Sequence, residues 1–164
     1  MLDRFDLRIL ETWQRRGDIG PVEMGQAVNL SASQCSRRMQ RLREAGMVRE
    51  VAAVLDAGKL GIGLSAYVLL TMRGHDPATA EAFRARIQLL DEVLECQKLT
   101  GAADMIVKVA TRDLASFNQL LTHNLLAAPE VATARSSIIL ESVKSTTALP
   151  LRFAARAGAG DDPG

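Results

Sequence analysis

Apolar residues in the first third of the chain recur three and four positions apart, the spacing that gives a helix one apolar face. Asp3 is a suitable N-cap for a first helix, whose apolar positions are Phe5, Ile9, Leu10 and Trp13. Pro21 suits the first turn of a second short helix, in which Gly25 is expected to allow a close helix contact. The pattern therefore predicts two short helices before residue 29.

A third helix is predicted to follow within about three residues of the second. Asn29 suits a left-handed helix end, and Ser31 with Gln34 matches a capping box that starts the next helix at about Ala32. The apolar positions expected to face a core are Cys35, Met39 and Leu42. The long polar side chains expected on the opposite side are Gln34, Arg37, Arg38 and Arg41. Such a junction is typical of a helix-turn-helix, whose second helix enters the major groove of DNA.

Positive charge concentrates on this third helix. Residues 30–49 hold five arginines and one acid, an excess of four, whereas the whole chain carries 20 Lys+Arg against 19 Asp+Glu. Arginine pairs with guanine edges or phosphates, although an arginine-rich face can also be merely solvated. The concentration favours double-stranded DNA as the partner. The predicted DNA-binding residues are Ser31, Ser33, Gln34, Arg37, Arg38 and Arg41.

The pattern changes from helices to strands after Gly46. Residues 47–55 are rich in β-forming side chains and are predicted to form a two-stranded wing, although no Asn-Gly or Asp-Gly turn marks its centre. Residues 56–63 contain three glycines, which suits a hinge between domains. The first 55 residues are therefore predicted to be a winged helix-turn-helix.

Strand and helix patterns alternate beyond residue 63. Asp76 with Pro77 and, later, Asp113 are N-cap signals for two helices. The predicted apolar helix faces consist of Phe83, Ile87 and Leu90 in the first helix and of Leu114, Phe117 and Leu121 in the second. The predicted strands are 64–72, 92–100, 104–111 and 134–143. This βαββαβ order predicts a ferredoxin-like domain of the α+β class, with both helices on one face of a four-stranded antiparallel sheet.

No further predicted element is left to pack against the opposite face of this sheet. Tyr67 and Leu69 lie on that face of the first predicted strand, so both faces of the strand are largely apolar. We expect the same domain of a second chain to pack there about a two-fold axis. A dimer would also bring two recognition helices to DNA half-sites about 34 Å apart.

Composition excludes several classes of protein. Apolar residues make up 48% of 164 residues, which is enough for one or two folded domains. No run of 18 apolar residues and no signal-peptide pattern occurs, so we expect a cytoplasmic protein. Cys35 and Cys96 lack metal-ligand spacing and are expected to be buried thiols. Neither His75 nor His123 has a nucleophile or paired carboxylate nearby in sequence, so no catalytic residue, metal or cofactor is predicted.

Four segments in this order resemble the Lrp/AsnC, or feast/famine, family of regulators. They are LDRFDLRIL at 2–10, NLSASQCSRRMQRL at 29–42, LECQKLTG at 94–101 and ILESVK at 139–144. The resemblance implies a winged DNA-binding domain at 1–55, a hinge at 56–63, and an effector and oligomerisation domain at 64–151. It also implies dimers, often octamers, and transcriptional control by a small molecule, usually an amino acid. The small and polar residues at 152–164 predict a flexible tail.

The effector loop of this family commonly has the pattern Gly-Asp-x-Asp, and the corresponding residues here are Gly101-Ala-Ala-Asp104. Ala102 therefore replaces the first acid. Asp104 can accept a hydrogen bond from an α-ammonium group, or it can simply order the hairpin turn. The residues that the resemblance implies for effector binding are Thr100, Gly101, Ala102, Asp104 and Ile138. Leu114 and Ile139 are expected near the same interface as core or contact residues.

Two alternatives to an effector-controlled regulator follow from the same residues. The altered loop at Ala102 suits a DNA-binding architectural protein that takes no ligand. The siroheme decarboxylases, which resemble the family in fold, are the enzymatic alternative. They are expected to carry a His-containing, aromatic-rich motif where this chain has Lys98-Leu-Thr-Gly-Ala-Ala-Asp104, so an enzyme is not predicted.

Overall fold

Three helices form the N-terminal part of the protein in the computed structural model, which describes residues 2–154. They are α1 at Arg4–Trp13, α2 at Pro21–Val28 and α3 at Ala32–Glu44. The helix-turn-helix predicted from the sequence is therefore confirmed. The described residues divide into two compact units: 2–54 together with 144–154, and Leu55–Val143.

The predicted caps start and stop these helices. The carboxylate of Asp3 accepts the backbone N–H groups of Phe5 and Asp6 at 2.8 and 2.9 Å. Ser31 and Gln34 form a reciprocal capping box at the start of α3. Asn29 has φ 58° and ψ 53°, the left-handed conformation that ends α2. These local signals fix the length of the turn between α2 and α3.

Gly25 lies where α2 meets the chain that enters α3. A Cβ atom at this position would lie 2.6 Å from the backbone oxygen of Leu30, closer than real Cβ contacts. The expectation that Gly25 permits a close contact is confirmed. The apolar sides of the three helices form one core, whose fully or nearly fully buried members are Ile9, Trp13, Ile19, Met24, Val28, Cys35, Met39 and Leu42.

The predicted wing is wrong for this chain. Residues 47–55 contain no strand, and Val54 is 93% exposed. A strand is stable only when its backbone groups pair with a neighbour, and none of the described residues pairs with this segment. Residues 144–154 return to the first unit, where the side-chain amide of Gln14 donates to and accepts from the backbone of Leu149 at 3.2 and 2.8 Å.

The second unit is a four-stranded antiparallel sheet with the strand order β2-β3-β1-β4. Its elements follow the order βαββαβ, so the predicted ferredoxin-like arrangement is confirmed. In chain order they are β1 at Leu64–Met72, α4 at Pro77–Ile87, β2 at Val93–Lys98, β3 at Met105–Thr111, α5 at Leu114–Gln119, a π-helical segment at Leu120–Leu126, and β4 at Val131–Ile138.

Both helices pack on one face of this sheet. The buried core there is made of Ala66, Val68, Leu70, Phe83, Ile87, Val107, Val109, Phe117, Leu120, Leu125, Ala128 and Val131. The prediction that Leu114 belongs to the apolar face is wrong, since its side chain is 61% exposed. The wider π-helical turn after Gln119 instead places Leu120 and Leu125 in the core.

The last strand also differs from its predicted range, since it begins three residues earlier and ends five residues earlier, at Val131–Ile138 rather than 134–143. A register shift between Thr71 and Met72 of β1 brings Val131 into the pairing. At the other end, β1 begins at Leu64, and one further hydrogen bond joins the N–H of Ile139 to the oxygen of Ser65. Residues beyond this point lie past the end of their partner strand.

Neither helix of the second unit lies on the other face of the sheet. Tyr67 is 38% exposed, and Leu69 and Ile106 are half-buried beside the ion pair between Lys108 and Glu95, whose atoms lie 3.1 Å apart. No helix among residues 2–154 is long and apolar enough to cross a membrane. The predicted division at 1–55, 56–63, 64–151 and 152–164 stays a prediction, and most of the predicted tail, 155–164, lies outside the described residues.

Candidate nucleic-acid and effector sites

The N-terminal half of α3 exposes a short polar surface. Ser31, Ser33, Gln34 and Arg37 are all exposed there. The amide oxygen of Gln34 already accepts the N–H of Ser31 at 3.0 Å, and the hydroxyl of Ser31 lies 3.1 Å from that of Ser33. Arg37 makes no hydrogen bond or ion pair with any residue in 2–154, so its guanidinium is available to an anionic partner.

Arg38 and Arg41 differ from Arg37 because two acids of α1 hold them. Arg38 Nη1 donates to Asp3 Oδ2 and to Asp6 Oδ1, each at 2.7 Å. Arg41 Nη2 donates to both carboxylate oxygens of Asp6, also at 2.7 Å. Asp6 is only 1% exposed, Arg38 is 22% exposed and Arg41 is 58% exposed. We name these four residues, Asp3, Asp6, Arg38 and Arg41, the ion-pair network.

The network stabilises the charged forms of its members. The pKa of Asp3 lies below its ordinary value because the carboxylate accepts the N–H of Asp6 and, in addition, the guanidinium of Arg38. The pKa of Arg38 is raised, since its guanidinium donates to the carboxylates of Asp3 and Asp6. Hydrogen bonds to ionised partners are the stronger kind, so α1 and α3 are fixed to each other by charge as well as by apolar contact.

A fourth arginine of α3 is also engaged. The guanidinium carbon of Arg43 lies 4.6 Å from the centre of the Trp13 ring, which is within the range of a cation–π contact. The four long polar side chains predicted to share one surface therefore do not all face solvent in the same way. Among the arginines of α3, Arg37 is exposed and has no partner in the described part of the chain, Arg41 is held by Asp6 but accessible, and Arg38 is largely buried.

A signal for this division exists in the sequence. Asp6 lies three residues before Ile9 and seven before Trp13, so it shares the buried side of α1. Arg38 follows Cys35 by three residues, which places it about 60° around the helix from the centre of the apolar face rather than opposite it. An acid on one apolar face and an arginine beside another indicate an ion pair between the helices, a combination that the single-helix pattern does not reveal.

The hairpin between β2 and β3 holds the residues predicted to bind an effector. Thr100, Gly101 and Ala102 are exposed, and Gly101 has φ 125°, a conformation that favours glycine. Asp104 is half-buried: its Oδ2 accepts the N–H of Met72 at 2.7 Å, and its Oδ1 lies 3.8 Å from Nδ1 of His75. The carboxylate thus joins the hairpin to the end of β1, and one oxygen has no hydrogen bond from residues 2–154.

Ile138 does not lie with this hairpin in a single chain. It pairs with Ala66 near the start of β1, whereas the N–H of Asp104 donates to the oxygen of Leu70. Four residues of strand separate these points, about 13 Å at 3.3 Å per residue. β3 and β4 also lie on opposite sides of β1. The five predicted effector residues therefore form two separate groups within one chain.

A cavity of about 760 Å³ lies beside the hairpin within the second unit. Its wall includes the apolar side chains of Met72, Phe83 and Met105 together with Asp104 and His75. Cavities of this size are typical of small-molecule sites, and the wall of this one also carries the charged side chains of Arg84, Asp91, Glu95 and Lys98. The pattern did not predict this cavity, because its wall comes from β1, α4, β2 and β3, which are distant in sequence.

The two cysteines have different surroundings. Cys35 is buried in the helical core, as predicted, whereas Cys96 is half-buried on β2 rather than fully buried. Burial raises the pKa of both thiols. Cys96 belongs to an edge strand of the sheet, which explains its partial exposure.

A helix-turn-helix joined to a ferredoxin-like unit that has a cavity of small-molecule size is the architecture of DNA-binding transcriptional regulators with a ligand-binding domain. Comparison with known proteins gives the particular family. Residues 2–43 match the AsnC-type helix-turn-helix domain, and residues 65–149 match the Lrp/AsnC ligand binding domain. The protein belongs to the Lrp/AsnC family.

Its relatives span almost the full chain. The leucine-responsive regulatory protein of Haemophilus influenzae is 34% identical over 151 residues, which is 92% of this chain and 91% of the relative. The protein of the same name from Escherichia coli is 32% identical over 151 residues and covers 92% of each chain. These proteins and both matched domains belong to transcriptional regulators rather than enzymes, so the siroheme decarboxylase alternative is set aside.

Solved structures agree in fold. A transcriptional regulator from Neisseria meningitidis, in complex with L-Met, has a TM-score of 0.91 at 35% identity and covers 94% of this chain and 99% of its own. An AsnC family transcriptional regulator from Agrobacterium tumefaciens has a TM-score of 0.87 at 27% identity and covers 93% of this chain and 99% of its own.

Proposed function

We propose that this regulator binds specific DNA sequences through the N-terminal half of α3, with Arg37 as its main phosphate or guanine contact. The observation that carries the proposal is the exposed side chain of Arg37, which pairs with no residue between 2 and 154, beside exposed Ser33 and Gln34. Arg41, of which 58% is exposed, supplies a second contact through the donors that Asp6 does not occupy. Arginine in a recognition helix suits guanine edges and phosphates.

Selection of duplexes from a random pool tests this proposal without knowledge of the target genes. Wild-type protein is expected to enrich a defined sequence and to bind it at least about a thousandfold more tightly than a scrambled duplex. If repeated selection enriches no sequence, the protein is not a sequence-specific regulator. That result would favour the architectural alternative.

The effector that we propose is an amino acid bound at the β2–β3 hairpin. Oδ1 of Asp104 accepts no hydrogen bond from residues 2–154 and can accept one from an α-ammonium group, and the apolar part of the neighbouring cavity wall, at Met72, Phe83 and Met105, suits an uncharged side chain. The similar regulator from Neisseria meningitidis, which was solved with L-Met, supports this class of ligand. Thr100, Gly101 and Ala102 would supply the exposed edge of the site.

Thermal unfolding in the presence of each of the twenty amino acids tests the effector. A ligand at a hundred times its Kd stabilises the folded state by about 2.7 kcal/mol, so a binder raises the melting temperature measurably. Asp104→Asn is expected to abolish the shift. Glu92→Gln, an equal change of charge at an exposed residue of the same unit, should retain it. The absence of a shift with every amino acid would favour a regulator without such an effector.

We also propose that two copies pack their sheets together. The open sheet face around Tyr67, Leu69 and Ile106 exposes apolar surface, which is typical of an interaction site. In homo-oligomers such a surface most often packs against the same surface of a second copy about a two-fold axis. Sedimentation of the wild-type protein should give a dimer or an octamer. Leu69→Lys should shift it towards the monomer, whereas a wild-type monomer would contradict the proposal. The cytoplasm stays the predicted location.

A further inference from the structure

Asp6 is an unusual residue to find at the buried side of a helix. Its side chain is 1% exposed, yet it accepts the N–H of Asp3 at 3.1 Å and three hydrogen bonds from Arg38 and Arg41 at 2.7 Å. A buried carboxylate is tolerated only when such partners replace its lost hydration. All its partners except the Asp3 N–H come from the helix that carries the proposed DNA contacts.

The ion-pair network neutralises part of the positive charge of α3. α3 carries four arginines, Arg37, Arg38, Arg41 and Arg43, but Asp3 and Asp6 balance the charges of Arg38 and Arg41. Each unpaired arginine that reaches a phosphate adds affinity for any DNA sequence, because phosphate contacts carry no sequence information. A helix with all its arginines free would therefore bind bulk DNA more tightly without binding its own site more selectively.

The network also fixes orientation. Asp6 holds Nη2 of Arg41 through both carboxylate oxygens, while more than half of the Arg41 side chain stays accessible. A guanidinium held in this way presents its remaining donors in one direction, which suits a geometrically specific contact better than a mobile arginine does. Arg38 is only 22% exposed, and its pairing with Asp6 keeps its guanidinium away from the surface that would face DNA.

We infer that Asp6 is a positioning residue for DNA recognition, which withdraws Arg38 and orients Arg41 so that α3 discriminates its own site from bulk DNA. The inference rests on the proposed DNA-binding role of α3. It goes beyond that role because it assigns the specificity of the helix partly to an acid of α1 that does not itself face DNA.

Asp6→Asn tests the inference, with Asp18→Asn as the matched control. Asp18 is an exposed acid of the same unit, so both variants change the net charge by the same amount. Affinity is measured for the selected duplex and for a scrambled duplex over a range of NaCl concentrations. Fluorescence of Trp13, the single tryptophan, verifies that each variant is folded.

Asp6→Asn is expected to bind the scrambled duplex about tenfold more tightly at 0.1 M NaCl, with a salt slope steeper by about one unit for each released arginine that reaches a phosphate. The ratio of specific to non-specific affinity should fall by about tenfold. Asp18→Asn should retain the wild-type slope and ratio. The addition of Arg38→Gln to Asp6→Asn should reverse part of the steeper slope, whereas Arg38→Gln alone should leave the slope unchanged.

A folded Asp6→Asn variant with the slope and ratio of Asp18→Asn would overturn the inference and leave the network a purely structural role. If Asp6→Asn fails to fold, Asp3→Asn replaces it, since Asp3 is half-exposed and its loss leaves Arg38 with one carboxylate partner, Asp6, instead of two. This milder variant should change the slope in the same direction, and an unchanged slope would overturn the inference. A wild-type protein that does not discriminate between the two duplexes would instead refute the proposed function itself.

Discussion

Asp6 in the helical unit and Asp104 in the ferredoxin-like unit are both carboxylates that join two elements, but they are used differently. Both oxygens of Asp6 are saturated by side-chain and backbone donors, and the residue is 1% exposed. Asp104 is 25% exposed, and within residues 2–154 only its Oδ2 accepts a hydrogen bond, from the N–H of Met72. A saturated carboxylate belongs to the scaffold, whereas one with a spare oxygen can still bind a ligand. Asp6 is therefore expected to position other side chains, and Asp104 is expected to contact a ligand.

Truncation of the two acids should give unequal losses of stability. Asp6→Ala removes the partner of two arginines and should lower the free energy of unfolding of the first unit by about 2–3 kcal/mol, below the 3–5 kcal/mol of a fully buried pair because Arg41 can turn to water. Asp104→Ala removes one hydrogen bond and should cost about 1 kcal/mol. Denaturant unfolding monitored by Trp13 and by Tyr67, the single tyrosine, follows the two units separately. Equal losses would contradict the comparison.

Gly25→Ala tests whether the first unit requires the close contact between α2 and the chain that enters α3. Helix propensity alone would make alanine about 1 kcal/mol more favourable than glycine. We expect a net loss of about 2 kcal/mol instead, because the new Cβ would lie 2.6 Å from the oxygen of Leu30. Gly20→Ala is the control: its Cβ meets nothing within 4 Å, so only a cap effect of about 0.5 kcal/mol is expected. A stabilised Gly25→Ala variant would show that the α2–α3 turn can accommodate a Cβ atom at this position.

The two helix caps, Asp3 and Asp113, should give the smallest effects. The pKa of Asp113 is lowered to about 2, chiefly because its carboxylate accepts the N–H of Ser116, and the pKa of Asp3 is lowered by the N–H of Asp6. A depressed pKa in the folded state means that the stability contribution is present above about pH 4 and is lost as the pH falls below that value. Stability between pH 4 and 2 should therefore fall less steeply in Asp3→Asn and Asp113→Asn, each in its own unit. A wild-type pH profile in both variants would rule out this contribution.

Local signals predicted most of the fold. Asn29 and Ser31 set the turn of the helix-turn-helix, and Asp76 and Asp113 set the starts of α4 and α5, since each acts on backbone groups within a few residues. The wing and the end of β4 were predicted incorrectly because a strand depends on a distant partner. Pattern alone does not show where that partner stops.

The sites were less predictable than the fold for the same reason. Arg37 lies opposite the apolar face of α3 and was placed correctly in solvent by periodicity. Arg38 pairs with acids 35 and 32 residues earlier in the chain, and the cavity beside Asp104 is built from four elements. Such contacts depend on tertiary packing, which one helical pattern at a time cannot supply.

The most direct test of the account is the salt dependence of DNA binding by Arg37→Ala, compared with Arg84→Ala, which removes another exposed arginine, on α4 of the other unit. Fluorescence anisotropy of the selected duplex over a range of NaCl concentrations measures both affinity and slope. Arg37→Ala should bind about tenfold more weakly at 0.1 M NaCl, with a slope shallower by about one unit, and Arg84→Ala should match the wild type. Wild-type affinity and slope in Arg37→Ala would contradict the assignment of α3 as the DNA-binding helix.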